Sequence, residues 1–179
     1  AEACSVLMKH VWAARLARPD LTKAITTLAA KVSKWTNNHD RMLYRLMCYM
    51  WTTKDYELVG HVNDSLKDLW FELYVDADWA GDREDMYSNN GGFLVLAGPK
   101  THFPLAWVSK KQAACSRSTN ESEVIALAHS LFLEALPIMS LRDKLVNPAP
   151  GRPTTLKIFE DNQAAITIIG AGFSFKLCH

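Results

Sequence analysis

The chain has 179 residues, of which 49% are hydrophobic and 22% charged, enough apolar material for a buried core and incompatible with a globally disordered polymer. A net charge of +1 argues neither for nor against nucleic acid, but residues 1–65 carry 9 Lys/Arg against 6 Asp/Glu and the remainder 11 against 13. The second part would therefore repel phosphate unless cations intervened.

Cys4, Cys48, Cys115 and Cys178 are widely spaced, with no CxxC or Cys/His ligand pattern, so reduced thiols are expected and a zinc site is not. No uninterrupted apolar run reaches the roughly 20 residues of a bilayer span, and no signal-peptide pattern opens the chain, so a soluble, non-secreted protein is expected. Ser5–Leu16 has helical composition and ends at Arg18-Pro19. Asp20 is positioned to cap a second helix with Leu21, Ile25, Leu28 and Val32 on one face, ending near Trp35-Thr36-Asn37-Asn38. His39–Trp51 repeats the pattern through Met42, Leu43, Leu46, Met47 and Met50, which read as helix-packing core without a chemical signature. Leu58–Val62 reads as a short strand and Asn63–Asp68 as a connector, which divides the chain into a helical module over 1–65 and a second domain over 66–179.

In Leu69–Gly81 the apolar residues Leu69, Phe71, Leu73 and Val75 alternate with Trp70, Glu72, Tyr74 and Asp76, the period of a strand. After a loop over Gly81–Asn90, Gly91–Ala97 and Leu105–Ser109 continue as an antiparallel meander. Ser118-Thr119-Asn120-Glu121 has the form of a capping box, so a long helix starts there and runs to at least Leu136, where Pro137 ends or kinks it; Leu141–Leu145 resumes it. Asn147–Pro153 is a loop, Thr155–Phe159 a strand, and Asn162–Ile169 opens a helix. The expected fold class is α/β: a mixed sheet of three antiparallel strands, then a helical crossover to a further strand, preceded by the small helical module.

Asp76 falls near a strand end on the face opposite the Leu/Phe/Val row, and Glu123 and Asp161 occupy comparable frames in STNESEVIAL and LKIFEDNQAAI. A desolvated carboxylate must be paired, protonated or bound to metal, so acids from one strand, one helix and a second strand suggest a divalent-metal site. Bland roles fit the neighbouring residues. Asp78 and Asp82 read as turn acids, Glu121 as the capping partner, and Glu160 as pointing away from Asp161 on its strand. Trp79 and Trp107 read as core, and His129 as a helix-face residue.

Four segments in this order, YVDADWAGD (Tyr74–Asp82), WVSKKQ (Trp107–Gln112), STNESEVIAL (Ser118–Leu127) and EDNQAAI (Glu160–Ile166), resemble the ribonuclease H domain of copia-type LTR retrotransposon polyproteins. ARPDLTKAITTLA (Ala17–Ala29) and YMWTTKDYELV (Tyr49–Val59) resemble the end of the preceding reverse transcriptase. The resemblance implies a ribonuclease H-like fold and metal-dependent hydrolysis of RNA in RNA/DNA hybrids. Asp76, Glu123 and Asp161 would then be both catalytic residues and ligands of two Mg²⁺ ions, for which Mn²⁺ can substitute. It also implies hybrid contacts by Lys110, Lys111, Gln112, Arg117, Thr119, Asn162 and Gln163, the remaining reverse-transcriptase polyprotein as partner, and no membrane. The expected location is the cytoplasmic particle of the element or the nucleus. The family's fourth acidic ligand has no counterpart before His179, so a C-terminally incomplete domain is expected. That gap keeps open a catalytically inactive remnant that still binds nucleic acid or serves as a scaffold. An integrase-like nuclease is disfavoured because its acids run Asp, Asp, Glu rather than Asp, Glu, Asp.

Overall fold

The computed structural model describes residues 2–81, 86–146 and 154–172. It divides into two compact units, Ala1–Val59 and Gly60–His179. The first holds helices α1 (Glu2–Leu16), α2 (Thr22–Ala29) and α3 (Asn37–Thr52). Leu7, Ala14, Leu21, Ile25, Leu28 and Leu46 form its core, with Val32, Leu43, Met47 and Met50 packed at the edge. The helical periodicity read from Leu21, Ile25 and Leu28 is thus the buried face.

Asp20 does not cap α2. It lies in a short 3-10 turn, Pro19–Leu21, where its carboxylate accepts hydrogen bonds from Arg18 Nη2 at 2.7 Å and the Tyr49 hydroxyl at 3.0 Å. The guanidinium bond holds the Asp20 carboxyl below its ordinary range. Arg18 also donates to the Thr53 carbonyl and hydroxyl at 3.0 and 2.7 Å, fastening this turn to the end of α3. The cap that does form opens α3: the Thr36 side chain and His39 Nδ1 make a reciprocal box, and the Thr36 N–H donates to that nitrogen at 3.0 Å.

The second unit is a four-stranded mixed sheet in the order β3-β2-β1-β4. Its strands are β1 (Trp70–Asp78), β2 (Asn89–Gly98), β3 (Thr101–Lys111) and β4 (Leu156–Phe159). β1 pairs antiparallel with β2 and parallel with β4, and β2 pairs antiparallel with β3. This is the α/β mixed-sheet class read from the sequence. Residues 60–65 belong to this unit: His61 makes an isolated bridge to His102, and Thr101 Oγ1 accepts from the Asn63 and Asp64 amides. No strand forms over Leu58–Val62 beyond that bridge.

Alternation in β1 buries Phe71, Leu73 and Val75 and exposes Tyr74, Asp76 and Asp78. The buried row joins Leu94, Leu127 and Ala135 in one core. Helices α4 (Thr119–Ser130), α5 (Leu136–Val146) and α6 (Gln163–Ala171) complete the unit. At Gly92 a Cβ would lie 2.4 Å from Ser130 Oγ, so glycine in β2 is what lets α4 approach the sheet this closely. Pro137 does not end the long helix. A π turn over Leu131–Ala135 precedes it, and helix continues as α5 through the proline, because the wider turn accommodates the break in hydrogen bonding. By length and composition Thr119–Val146 is apolar enough to cross a membrane, yet Leu127 and Ala135 are part of the sheet's own core.

The start of α4 is capped as its sequence suggests. Ser118 Oγ accepts from the Glu121 amide at 3.2 Å, but Glu121 Oε2 returns to the Arg117 amide at 2.7 Å rather than to Ser118. Ser118→Ala is expected to lower stability by about 1 kcal/mol. Urea unfolding checks this, and an unchanged midpoint would show that the bond contributes nothing.

Candidate metal centre

Three elements deliver the acids. Asp76 stands near the end of β1 on its exposed face, Glu123 lies in the second turn of α4, and Asp161 follows the end of β4 at the entrance to α6. One carboxylate oxygen from each lies within 4.8 Å of the others. Parallel pairing of β1 with β4 brings the two strand ends side by side, and the close seat of α4 at Gly92 brings the helix to them. The three frames singled out in the sequence therefore converge.

Glu123 is 4% exposed, and its Oε2 has no hydrogen-bond partner among the described residues. Burial pushes its carboxyl up to about 7, with further repulsion from Glu160, Asp76 and Asp161; the Ala77 backbone works the other way. A buried carboxylate oxygen left without a donor is satisfied by a proton or by a cation. Oxygens of three carboxylates at one point are the donor set that hard divalent ions take, so the residues present fit such an ion.

Glu160 is a correction to the sequence reading. Strand alternation turns it away from Asp161, but β4 ends at Phe159, so alternation no longer governs residue 160. Its Oε1 accepts from the Asn162 amide at 3.0 Å, while Oε2 is buried without a partner. Burial raises its carboxyl, and Asp161 and Asp76 repel it as well.

Several long-range likenesses accompany this geometry. The Retrovirus-related Pol polyprotein from transposon RE2 of Arabidopsis thaliana is 35% identical over 113 residues, 63% of this chain and 7% of that protein. Secreted RxLR effector protein 161 of Plasmopara viticola is 34% identical over 113 residues, covering 63% of this chain and 75% of the effector. Transposon Ty1-ER2 Gag-Pol polyprotein of Saccharomyces cerevisiae is 26% identical over 152 residues, 85% of this chain and 8% of that protein. This chain thus has retrotransposon Pol and Gag-Pol polyproteins among its homologues, at modest identity over part of its length. It spans only a small part of the polyproteins it matches, about 7 to 8% of their length. No family model matches, and no solved structure does.

In this Pol-related chain the residues expected to contact a hybrid divide into two groups. Lys110, Arg117, Thr119 and Gln163 are exposed, and Lys111 is half-buried with its ammonium 5.2 Å from the Tyr87 ring centre. Register places Lys110 and Lys111 opposite Asn90 and Asn89, which in turn pair with Ala77 and Asp78 beside Asp76. Gln112, in contrast, is 4% exposed and points inward. Its Nε2 donates to Asn90 Oδ1 at 2.7 Å and to the Ser122 carbonyl at 3.0 Å, and its Oε1 accepts from Ser116 Oγ at 2.6 Å. Gln112 therefore holds α4 against the sheet rather than meeting a ligand. Asn162 also has internal work: its Oδ1 caps α6 by accepting from Ala164 and Ala165, each at 3.0 Å.

The other sequence readings resolve as follows. Asp78 folds back over the turn, where a Cβ at Gly81 would lie 2.2 Å from its carboxylate, so any larger residue at 81 would have to displace the Asp78 side chain. Trp79 is not core; it is 48% exposed. Trp107 is half-buried and stacks on Phe93 with ring centres 6.2 Å apart. His129 has both ring nitrogens buried without partners, and burial, with Lys110 nearby, lowers its pKa. Cys4, Cys48 and Cys115 are free thiols. Asp82, the 147–153 loop, Cys178 and His179 lie outside the described residues, as does the C-terminal stretch in which a fourth acid was sought.

Proposed function

We propose that this chain is the ribonuclease H part of a retrotransposon Pol-type protein, hydrolysing the RNA strand of RNA/DNA hybrids with divalent cations. The observation that carries the reading is the convergence of Asp76, Glu123 and Asp161 around a buried, unpartnered Glu123 oxygen. Asp76, Glu123 and Asp161 would hold Mg²⁺, or Mn²⁺ in its place. When bound, such ions supply the activation of water and the stabilisation of the departing oxygen that phosphodiester hydrolysis requires.

The protein's own contribution is placement and charge. Asp76 and Asp161 are exposed, so the centre opens to solvent and a backbone can reach it, while Glu123 closes it from the core side. Lys110, Lys111 and Arg117 lie on the β3 end and the approach to α4, where they would meet phosphates, and the exposed Thr119 and Gln163 open α4 and α6, the helices next to Glu123 and Asp161 in the chain. The remaining polyprotein is the natural partner, and the element's cytoplasmic particle or the nucleus its place of action.

The test is cleavage of a labelled RNA/DNA hybrid by the full chain in Mg²⁺. Duplex DNA, duplex RNA and excess chelator serve as comparisons. Cutting of the RNA strand in the hybrid alone, abolished by chelator, is the expected result. Cleavage of duplex DNA instead, or no cleavage under any divalent cation, overturns the reading.

A further inference from the structure

In the first unit, the 3-10 turn with α2 on one side and α3 on the other leave a groove that none of the described residues fills. Leu21, Ala24 and Leu28 line one wall and Met42, Leu46 and Tyr49 the other, around about 430 Å³ of open space. Each wall advances by steps of three and four residues, so the groove runs for roughly two helical turns. Leu21, Leu28 and Leu46 belong to the buried core, whereas Met42 is 37% and Tyr49 42% exposed above them. An element laid along the groove would take this apolar surface out of water. The rim is cationic. Arg45 lines the groove and Arg41 stands one turn before it on α3; both are exposed, and neither makes a hydrogen bond or ion pair among the described residues. Asp20 also borders the groove, but Arg18 and Tyr49 already hold its carboxylate at 2.7 and 3.0 Å.

We propose that this groove docks an acidic amphipathic helix of another protein chain. Apolar side chains spaced three and four residues apart enter between α2 and α3, and Asp or Glu side chains beside them meet Arg41 and Arg45. Shape selects a helix, because a ridge with that spacing interdigitates with walls of the same spacing. Charge selects an acidic one, because a free guanidinium pairs with a carboxylate through two parallel hydrogen bonds. Residues 1–59 carry 9 Lys/Arg against 5 Asp/Glu, so the wider surface favours the same sign of partner. A second copy of this face would set like charges against each other. A phosphate backbone would satisfy the arginines but brings no apolar ridge to fill the groove. Neither the acids at 76, 123 and 161 nor hybrid cleavage takes part in this docking.

Fluorescence anisotropy with the full chain tests this, using two labelled helical peptides that share a leucine ridge and differ only in carrying glutamate or lysine beside it. The chains are wild type, a double variant with Arg41→Glu and Arg45→Glu, and Ala24→Trp, which places a large ring in the groove; thermal melting checks that each is folded. All three positions are exposed, so folding should survive. Wild type is expected to prefer the glutamate peptide by about tenfold, the double variant to reverse that preference, and Ala24→Trp to weaken both peptides by about tenfold. Equal binding of the two peptides by wild type, or no binding of either, overturns the proposal. Unchanged binding by folded Ala24→Trp overturns it as well, since the peptide would then sit elsewhere. Displacement of the glutamate peptide from wild type by an unlabelled RNA/DNA hybrid, with no such displacement from the double variant, would assign the arginines to nucleic acid and overturn it too.

Discussion

Glu123→Gln is expected to make the cation-free protein more stable at pH 8 and to remove hybrid cleavage in the same molecule. In the folded chain burial and neighbouring acids lift the Glu123 carboxyl from 4.5 to about 7. The folded state therefore holds this proton through a window in which the unfolded chain has already released it. Stability from this group is fully present below about pH 4.5, falls as pH rises and is gone above about pH 7. Glutamine keeps the shape without the charge, so the gain should be on the order of 2 kcal/mol at pH 8 and close to zero near pH 4. Thermal melts in chelator across that range measure it. Added Mg²⁺ should stabilise wild type more than the variant, which keeps Asp76 and Asp161 but has lost one of the three charged ligands. Cleavage should fall by roughly 1,000-fold, the scale set by losing several kcal/mol of charge stabilisation. A variant less stable than wild type at pH 8 would show that Glu123 is paired in a way the structure does not contain.

Gln112→Leu should be the most damaging polar substitution outside the acids. The change leaves the Asn90 amide oxygen, the Ser122 carbonyl and the Ser116 hydroxyl without the partner each now has, all inside a buried network. Unsatisfied buried groups are the expensive outcome of losing a hydrogen bond, so a loss of about 3 kcal/mol is expected in urea unfolding. Exposed Lys110→Ala, two residues away, should stay within about 0.5 kcal/mol of wild type. Ser122 directly precedes Glu123, so divalent-cation affinity should weaken along with stability. A neutral Gln112→Leu would mean that packing of α4 at Gly92 alone positions the helix.

How far the sequence reaches is clearest element by element. β1 was legible because period two and a buried face coincide there: Phe71, Leu73 and Val75 face the core, and Asp76 faces out. The Ser118 cap was legible because it is local, a side chain bonding an amide three residues on. Asp20 misled for a related reason. Its position before an apolar helix suits a cap, but Arg18 and Tyr49 offer charged and hydroxyl donors that the local pattern does not reveal. Pro137 misled because the π turn ahead of it is not written in any single residue type.

Gln112 and Glu160 mark the boundary within the site itself. Gln112 was expected at a ligand from the resemblance and Glu160 was read by strand alternation, and both depend on where a strand stops. Gln112 sits just past the end of β3 beneath the start of α4, so a polar residue expected at the surface is enclosed. Glu160 sits just past the end of β4, so strand alternation has no hold on it.

The sequence by itself determined the elements, the mixed-sheet class and the three acids at 76, 123 and 161, because these follow from periodicity, capping and residue chemistry within short windows. The tertiary structure alone decided that those acids meet, that Glu123 is the buried one and that Gln112 is enclosed rather than facing a ligand. The physical reason is that burial and charge interaction are properties of neighbours in space. Here the neighbours are set by the parallel pairing of β1 with β4 and by the approach of α4 over Gly92, contacts between segments far apart along the chain.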